Sequence, residues 1–177
     1  MIVLQTTRLK LSPCCPSDSA DFIDLERDPE VMRFLNGGYA VDHAQDNSGA
    51  TFLMPRGTEE YVWTARRKDT GAFVGWLCLW PETEMVAELG YRLRRDNWGQ
   101  GFASECGMAI FEYGFRRGGY VSVFASTMAV NLASRRVMEK IGMHYVRTAY
   151  DELLDPIPGS ERGEVKYEVT RAEWDGR

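Results

Sequence analysis

Histidine is scarce: His43 and His144 are the only two in 177 residues, far apart and without ligand spacing. A zinc site therefore has no basis, and no metal is expected. The four cysteines, Cys14, Cys15, Cys78 and Cys106, form no CxxC pair. Cys78 and Cys106 lie in apolar patterns, so all four read as structural thiols rather than redox or metal groups. Long hydrophobic runs are missing too. The longest, about Phe73 to Trp80, holds a glycine and falls well short of the roughly 20 residues a membrane span needs. The start, Met-Ile-Val-Leu-Gln-Thr-Thr-Arg, lacks the basic opening and apolar core of a signal peptide, so the expected location is cytoplasmic. There is no basic surplus: 21 basic against 26 acidic residues gives −5, with only doublets such as Arg66-Arg67 and Arg94-Arg95. Nucleic acid is not an expected partner.

What is present suits one soluble domain of ordinary size. Apolar residues make up 44% and charged residues 27%. The pattern along the chain is mixed α/β. Residues 2–12 read as a strand. Pro16-Ser17-Asp18 opens a helix with Ser17 or Asp18 as cap, and Asp28-Pro29-Glu30 opens a second that ends at Gly37-Gly38. Residues 39–58 fit either a helix or a loop. Strands follow at 61–67, 72–80 and 85–93, with Asp69-Thr70-Gly71 as a tight turn between the first two. The strand 72–80 is apolar on both faces and so belongs in the middle of its sheet. Trp63, Trp76 and Trp80 read as core. A helix at 102–117, a strand at 120–126, a helix at 131–141 with Ala133, Val137 and Ile141 inward, and strands at 143–150 and 164–170 complete the chain.

Between the third strand and the long helix runs Arg94-Arg-Asp-Asn-Trp-Gly-Gln-Gly-Phe-Ala-Ser104. Glycines let a backbone curl tightly and clear space for a ligand. The unsatisfied N–H groups of a helix start, with the helix dipole, attract phosphate. The stretch suits a phosphate-bearing cofactor, or else a plain strand-to-helix turn. A Rossmann fingerprint fails because strand 120–126 ends without an acid, and a P-loop fails because Gly-Phe-Ala replaces Gly-Lys-Ser.

Four segments together resemble the GNAT superfamily of N-acetyltransferases, in its RimJ/RimL-like branch. They are Leu4–Leu11, Asp28–Leu35, Ala87–Tyr91 with Trp98–Glu105, and Asn131–Gly142. The resemblance covers nearly the whole chain, taken as a single acetyltransferase domain over residues 1–177. It implies an α/β (α+β) fold with a mixed, mostly antiparallel central sheet, splayed at a cofactor cleft and flanked by helices. It implies acetyl-CoA as cosubstrate. The loop of Trp98, Gly99, Gln100, Gly101, Phe102 and Ala103 would cradle the pyrophosphate. The backbone of Tyr91, Arg92 and Leu93 would pair with the pantetheine arm, and Asn131 would bond that arm near the thioester. Two positions depart from the wider superfamily. Asp96 stands where many members carry Gln or Arg, and Met138 stands where many carry a tyrosine acid. In the RimL-like pattern Ser134 takes the acid's role, or else it only bonds the backbone in the first helical turn.

Acyl transfer to an amine needs a neutral amine, donors for the carbonyl oxygen and an acid for the departing thiolate. Glu88 is the candidate base, through water, or else a solvated strand residue or one salt-bridged to a neighbour such as Arg92. Glu105 reads as a capping or pairing residue. Arg135 and Arg136 could reach an outer phosphate or simply be solvated. The expected acceptor is a primary amine, on a protein N-terminus or a small molecule, and the protein a monomer or homodimer. Specificity is expected in residues 35–60 and 151–163. The rival function is a non-catalytic acyl-CoA-binding or partner-binding module on the same fold. A nucleotide-binding regulator of another fold would instead favour ATP or NAD.

Overall fold

Residues 2–12 do not make one strand. In the computed structural model, which describes residues 2–39, 59–150 and 156–177, they fold into a hairpin of β1 (Leu4–Gln5) and β2 (Leu9–Pro13). The Thr6 N–H donates to the Leu9 carbonyl at 3.0 Å, and the Leu9 N–H donates to the Thr6 hydroxyl at 2.9 Å. A threonine bonding nearby backbone offers the chain a turn in place of a continuous ladder.

The remaining elements are α1 (Ser19–Arg27), α2 (Pro29–Asn36), β3 (Val62–Arg67), β4 (Phe73–Pro81), β5 (Val86–Leu93), α3 (Phe102–Arg116), β6 (Ser122–Met128), α4 (Leu132–Lys140), β7 (His144–Ala149), β8 (Glu164–Thr170) and α5 (Arg171–Asp175). The eight strands lie in the order β1-β2-β3-β4-β5-β6-β8-β7 in an open sheet. The β5–β6 pair is parallel, whereas β1–β2, β2–β3, β3–β4, β6–β8 and β7–β8 are antiparallel. The β5–β6 register pairs Val86 with Ser122, Ala87 with Val123 and Glu88 with Phe124.

The chain divides into two compact units, Met1–Cys78 with Tyr91–Cys106, and Leu79–Gly90 with Gly107–Arg177. The first buries Leu9, Leu11, Phe22, Met32, Trp63 and Val74. The second buries Leu79, Leu89, Ile110, Phe111, Val123 and Tyr167. β4 is buried from Phe73 to Leu79, as its two apolar faces predict. Residues 40–58 and 151–155, which include His43 and most of the expected specificity segments, lie outside the described residues.

Caps follow the sequence closely at α2. Asp28 accepts from the Glu30 N–H at 3.0 Å, and Gly37 closes the helix in the left-handed conformation. At α1 a 3₁₀ turn (Pro16–Asp18) comes first, and Asp18 does not cap with its side chain. Its buried carboxylate instead accepts from the Cys15 N–H, the Thr64 hydroxyl and Arg66. Burial raises this carboxyl, but the bonds from Arg66, Thr64 and Cys15 outweigh burial and hold it below the usual range. Its stabilisation is therefore present above its unfolded pKa and lost as pH falls through its lower folded value. Asp18→Ala is expected to cost about 1–3 kcal/mol in urea unfolding at pH 7, because it leaves the buried Thr64 hydroxyl without its acceptor and Arg66 with Asp21 alone. A loss under about 0.5 kcal/mol would refute that role.

Two local readings change. On α4 Ile141 is buried and Val137 half-buried, as read, but Ala133 is exposed and Met138 is buried beside them. The helix α5 follows from a capping box that the sequence carries as Thr170-x-x-Glu173. There Thr170 N–H donates to Glu173 at 2.8 Å, and Glu173 N–H donates to the Thr170 hydroxyl at 3.3 Å.

Candidate active site

β5 ends in Tyr91, Arg92 and Leu93, and the glycine loop follows directly. Gly99 and Gly101 have φ of 71° and 80°, the left-handed region that side chains resist. A Cβ placed on Gly99 would meet no atom within 4 Å, so the chain is open there. Gly101 starts α3, its carbonyl accepting from the Glu105 N–H at 3.0 Å. A left-handed glycine pair, open at Gly99 and leading into a 15-residue helix, suits a phosphate group.

The loop is held by its own side chains. Trp98 is half exposed, and its indole N–H donates to the Leu93 carbonyl at 2.8 Å, which ties the loop to the strand end. The Gln100 amide donates to the Asp96 carbonyl at 2.8 Å. Asp96, the acid that departs from the wider superfamily, accepts from Asn97 at 2.9 Å and from Arg94 at 3.4 Å. Its charge is thus met by a neighbouring cation. Phe102 is buried, Ala103 half-buried, and Arg8 stacks on the Phe102 ring at 4.3 Å. An open cleft of about 490 Å³ borders the loop, lined by Arg67, Phe73, Arg94, Asn97 and Gln100 among others.

Arg92 does not pair with Glu88. It is buried against Glu26 of α1, with which it forms an ion pair, and it stacks over Trp76 at 5.1 Å. Burial pushes its guanidinium down to about 9, which leaves it charged at neutral pH. Its side chain is thereby committed to the fold, and only its main chain is left for a ligand. Gly75 of β4 lies close behind: a Cβ there would come within 2.2 Å of the Arg92 carbonyl.

In the second unit, Glu88 is half-buried on β5, directly across from Phe124 on β6. Burial first, then the nearby charges of Glu164 and Glu82, raise its carboxyl, while Lys166 opposes them. A raised carboxyl is what a base working near neutrality needs. Asn131 caps α4: its side-chain oxygen accepts from the Ser134 N–H at 3.2 Å, and its amide donates to the Thr127 hydroxyl at 3.0 Å. The cap brings Asn131 and Ser134 together in one turn, with Ser134 half-buried. Met138 is buried in the core. Arg135 turns to the Ala129 carbonyl at 3.0 Å and to the Tyr167 hydroxyl at 3.2 Å, so it is a structural residue, whereas Arg136 is exposed.

Glu105 pairs, as its position predicts, but with a partner that sequence reasoning missed: Arg8, at 2.7 Å. Glu26 and Gly75 were missed as well. All three act through residues distant in sequence, and no local pattern flags them. Cys78 and Cys106 are buried free thiols, and burial pushes Cys106 up to about 12, which suits an inert role. Among the described residues no helix is long and apolar enough to cross a membrane.

Comparison with known proteins bears on the fold and the family. The FsC-acetyl coenzyme A-N(2)-transacetylase of Aspergillus fumigatus is 34% identical over 183 residues, covering 97% of this chain and 77% of its own length. A GNAT-family acetyltransferase structure from Bacillus anthracis superposes with a TM-score of 0.79 at 22% identity, covering 97% of this chain and all of the other. A RimL ribosomal L7/L12 alpha-N-protein acetyltransferase in complex with coenzyme A gives 0.71 at 19% identity, covering 96% of this chain and 98% of the other. These two structures share the open, mostly antiparallel sheet and its helices. A family model described as an acetyltransferase (GNAT) domain matches residues 8–144, well over half the chain, and with that match the chain belongs to the GNAT acetyltransferase family.

Proposed function

We propose that this protein is an N-acetyltransferase of the RimJ/RimL-like branch, working as a single cytoplasmic domain. It moves an acetyl group from acetyl-CoA directly to a primary amine, with no covalent enzyme intermediate. The loop carries this reading: Gly99 and Gly101 are left-handed and lead into α3, while Asp96 is met by Arg94 and Asn97. The main chain of residues 98–103 would hold the pyrophosphate, and that of Tyr91–Leu93 would line the pantetheine arm.

Acetyl-CoA supplies an activated thioester. Glu88 takes a proton from the acceptor ammonium through water, and its raised carboxyl supports this role. The freed lone pair forms the C–N bond as the C–S bond breaks. Ser134 gives its hydroxyl proton to the leaving thiolate and takes in its place the second proton that the new amide nitrogen sheds, and Asn131, by capping α4, holds that serine at the helix start. The acceptor is a small-molecule amine or a protein N-terminus. The Aspergillus relative, whose name sets acetyl transfer at an N(2) nitrogen, supports a nitrogen acceptor.

Calorimetric titration with acetyl-CoA tests the reading. Saturable one-to-one binding is expected. Gly101→Asp should weaken it more than about tenfold, because an anion and a Cβ enter a left-handed phosphate loop. Release of coenzyme A thiol with an amine panel tests turnover. Binding with no thiol release from any amine would sink the enzyme reading and leave a binding module.

A further inference from the structure

The turn of the N-terminal hairpin reaches the glycine loop. Arg8 Nε donates to Glu105 Oε2 at 2.7 Å, and Arg8 Nη2 donates to the Gln100 carbonyl at 3.0 Å. The Arg8 N–H donates to Glu105 Oε1 at 2.8 Å, and the Thr6 hydroxyl donates to the same oxygen. The guanidinium lies over the Phe102 ring, so one side chain touches the loop, the first helical residue and the first-turn acid. Glu105 is 16% exposed and Arg8 47%. Burial works against the Glu105 charge, but the bonds from Thr6 and Arg8 lower its carboxyl overall, so it is an anion at neutral pH.

Two consequences follow for a phosphate at this loop. A peptide is planar, so the Gln100 carbonyl and the Gly101 N–H point in opposite directions. Glycines on both sides of Gln100 leave that peptide little to resist a flip. Arg8 pins the carbonyl and therefore fixes where the Gly101 N–H points. In addition, Glu105 is an anion in the first turn of the helix that would receive the phosphate. Arg8 neutralises it.

Resting on the proposed acetyl-CoA reading, we infer that Arg8 is a positioning residue for the cofactor: it orients the Gln100–Gly101 peptide and cancels the Glu105 charge. Arg8 itself touches no reacting atom. A merely structural arginine would lower stability without an electrostatic signature at the loop.

The test is acetyl-CoA calorimetry on the full chain for the wild type, Arg8→Gln, Arg8→Lys, Glu105→Gln and the Arg8→Gln/Glu105→Gln double variant. Arg8→Gln is expected to weaken binding about tenfold at about 0.05 M salt and less at about 0.5 M, because it exposes the Glu105 charge. The double variant should recover at least about threefold of that loss, since it removes the uncancelled anion. KM for acetyl-CoA should rise while kcat at saturation stays within about twofold. Arg8→Lys keeps the charge but cannot fork, and should fall between wild type and Arg8→Gln. If Arg8→Gln proves unfolded by circular dichroism, Arg8→Lys decides: a loss of about threefold supports the role, and wild-type affinity overturns it. Arg8→Gln binding as the wild type does, or a double variant weaker than Arg8→Gln, overturns the inference alone. A wild type that binds no acetyl-CoA overturns it together with the proposed function.

Discussion

Glu88→Gln is expected to lower kcat for acetyl transfer by about 10²–10³-fold, the usual worth of a positioned base, with acetyl-CoA affinity unchanged. The substitution keeps shape and removes only the capacity to take a proton. Activity of the wild type requires the carboxylate, so kcat/KM should fall on the acid side through the raised pKa of Glu88. That limb should vanish in the variant, leaving only the ionisation of the amine. Stability moves the other way. A carboxyl raised by burial costs the folded state above its unfolded pKa and costs nothing once protonated. Glu88→Gln should therefore melt higher than the wild type at pH 7, and the gain should disappear at acidic pH. Full kcat in the variant would remove Glu88 from the mechanism. Lost kcat with lost acetyl-CoA binding would make it a binding residue instead.

Gly75→Ala should be the most damaging small substitution in the sheet. The new Cβ would meet the Arg92 carbonyl at 2.2 Å, the Leu93 Cα at 2.7 Å and the Arg92 carbonyl carbon at 3.1 Å. All three are backbone atoms and cannot rotate away. The Arg94 N–H is bonded to the Val74 carbonyl at 2.9 Å in the same place, so β4 and β5 must separate. The expected cost is about 3–5 kcal/mol, or a Tm lower by about 6–20 °C. Because Leu93 also anchors Trp98, acetyl-CoA affinity should fall with it. Gly71→Ala is the control. Its φ is 73°, but its Cβ would meet nothing within 4 Å, so only backbone strain of about 1–2 kcal/mol is expected. Equal melting of the two variants would mean that the close approach at Gly75 is not what holds the strand end.

Much of the fold was legible because its signals are local. Asp28-Pro29 and Gly37 mark both ends of α2, Asp69-Thr70-Gly71 marks the β3–β4 turn, and Gly99 and Gly101 mark the left-handed turn into α3. The N-terminal hairpin was missed because Thr6 interrupts an apolar alternation that is otherwise strand-like. On α4 only Ala133 was misread, because alanine fits either side of a helix.

The sequence by itself determined the order of elements from α1 to β8, the central place of β4 and the glycine loop. Spacing within a few residues suffices for these, since caps, turns and periodicity act over one or two turns of chain. Only the tertiary structure decided which charges meet. Arg8 finds Glu105 across 97 residues, and Arg92 finds Glu26, not Glu88, across 66. A charged side chain has many candidate partners in a sequence. The packing of strands and helices leaves one within reach, and burial then makes that choice costly to undo.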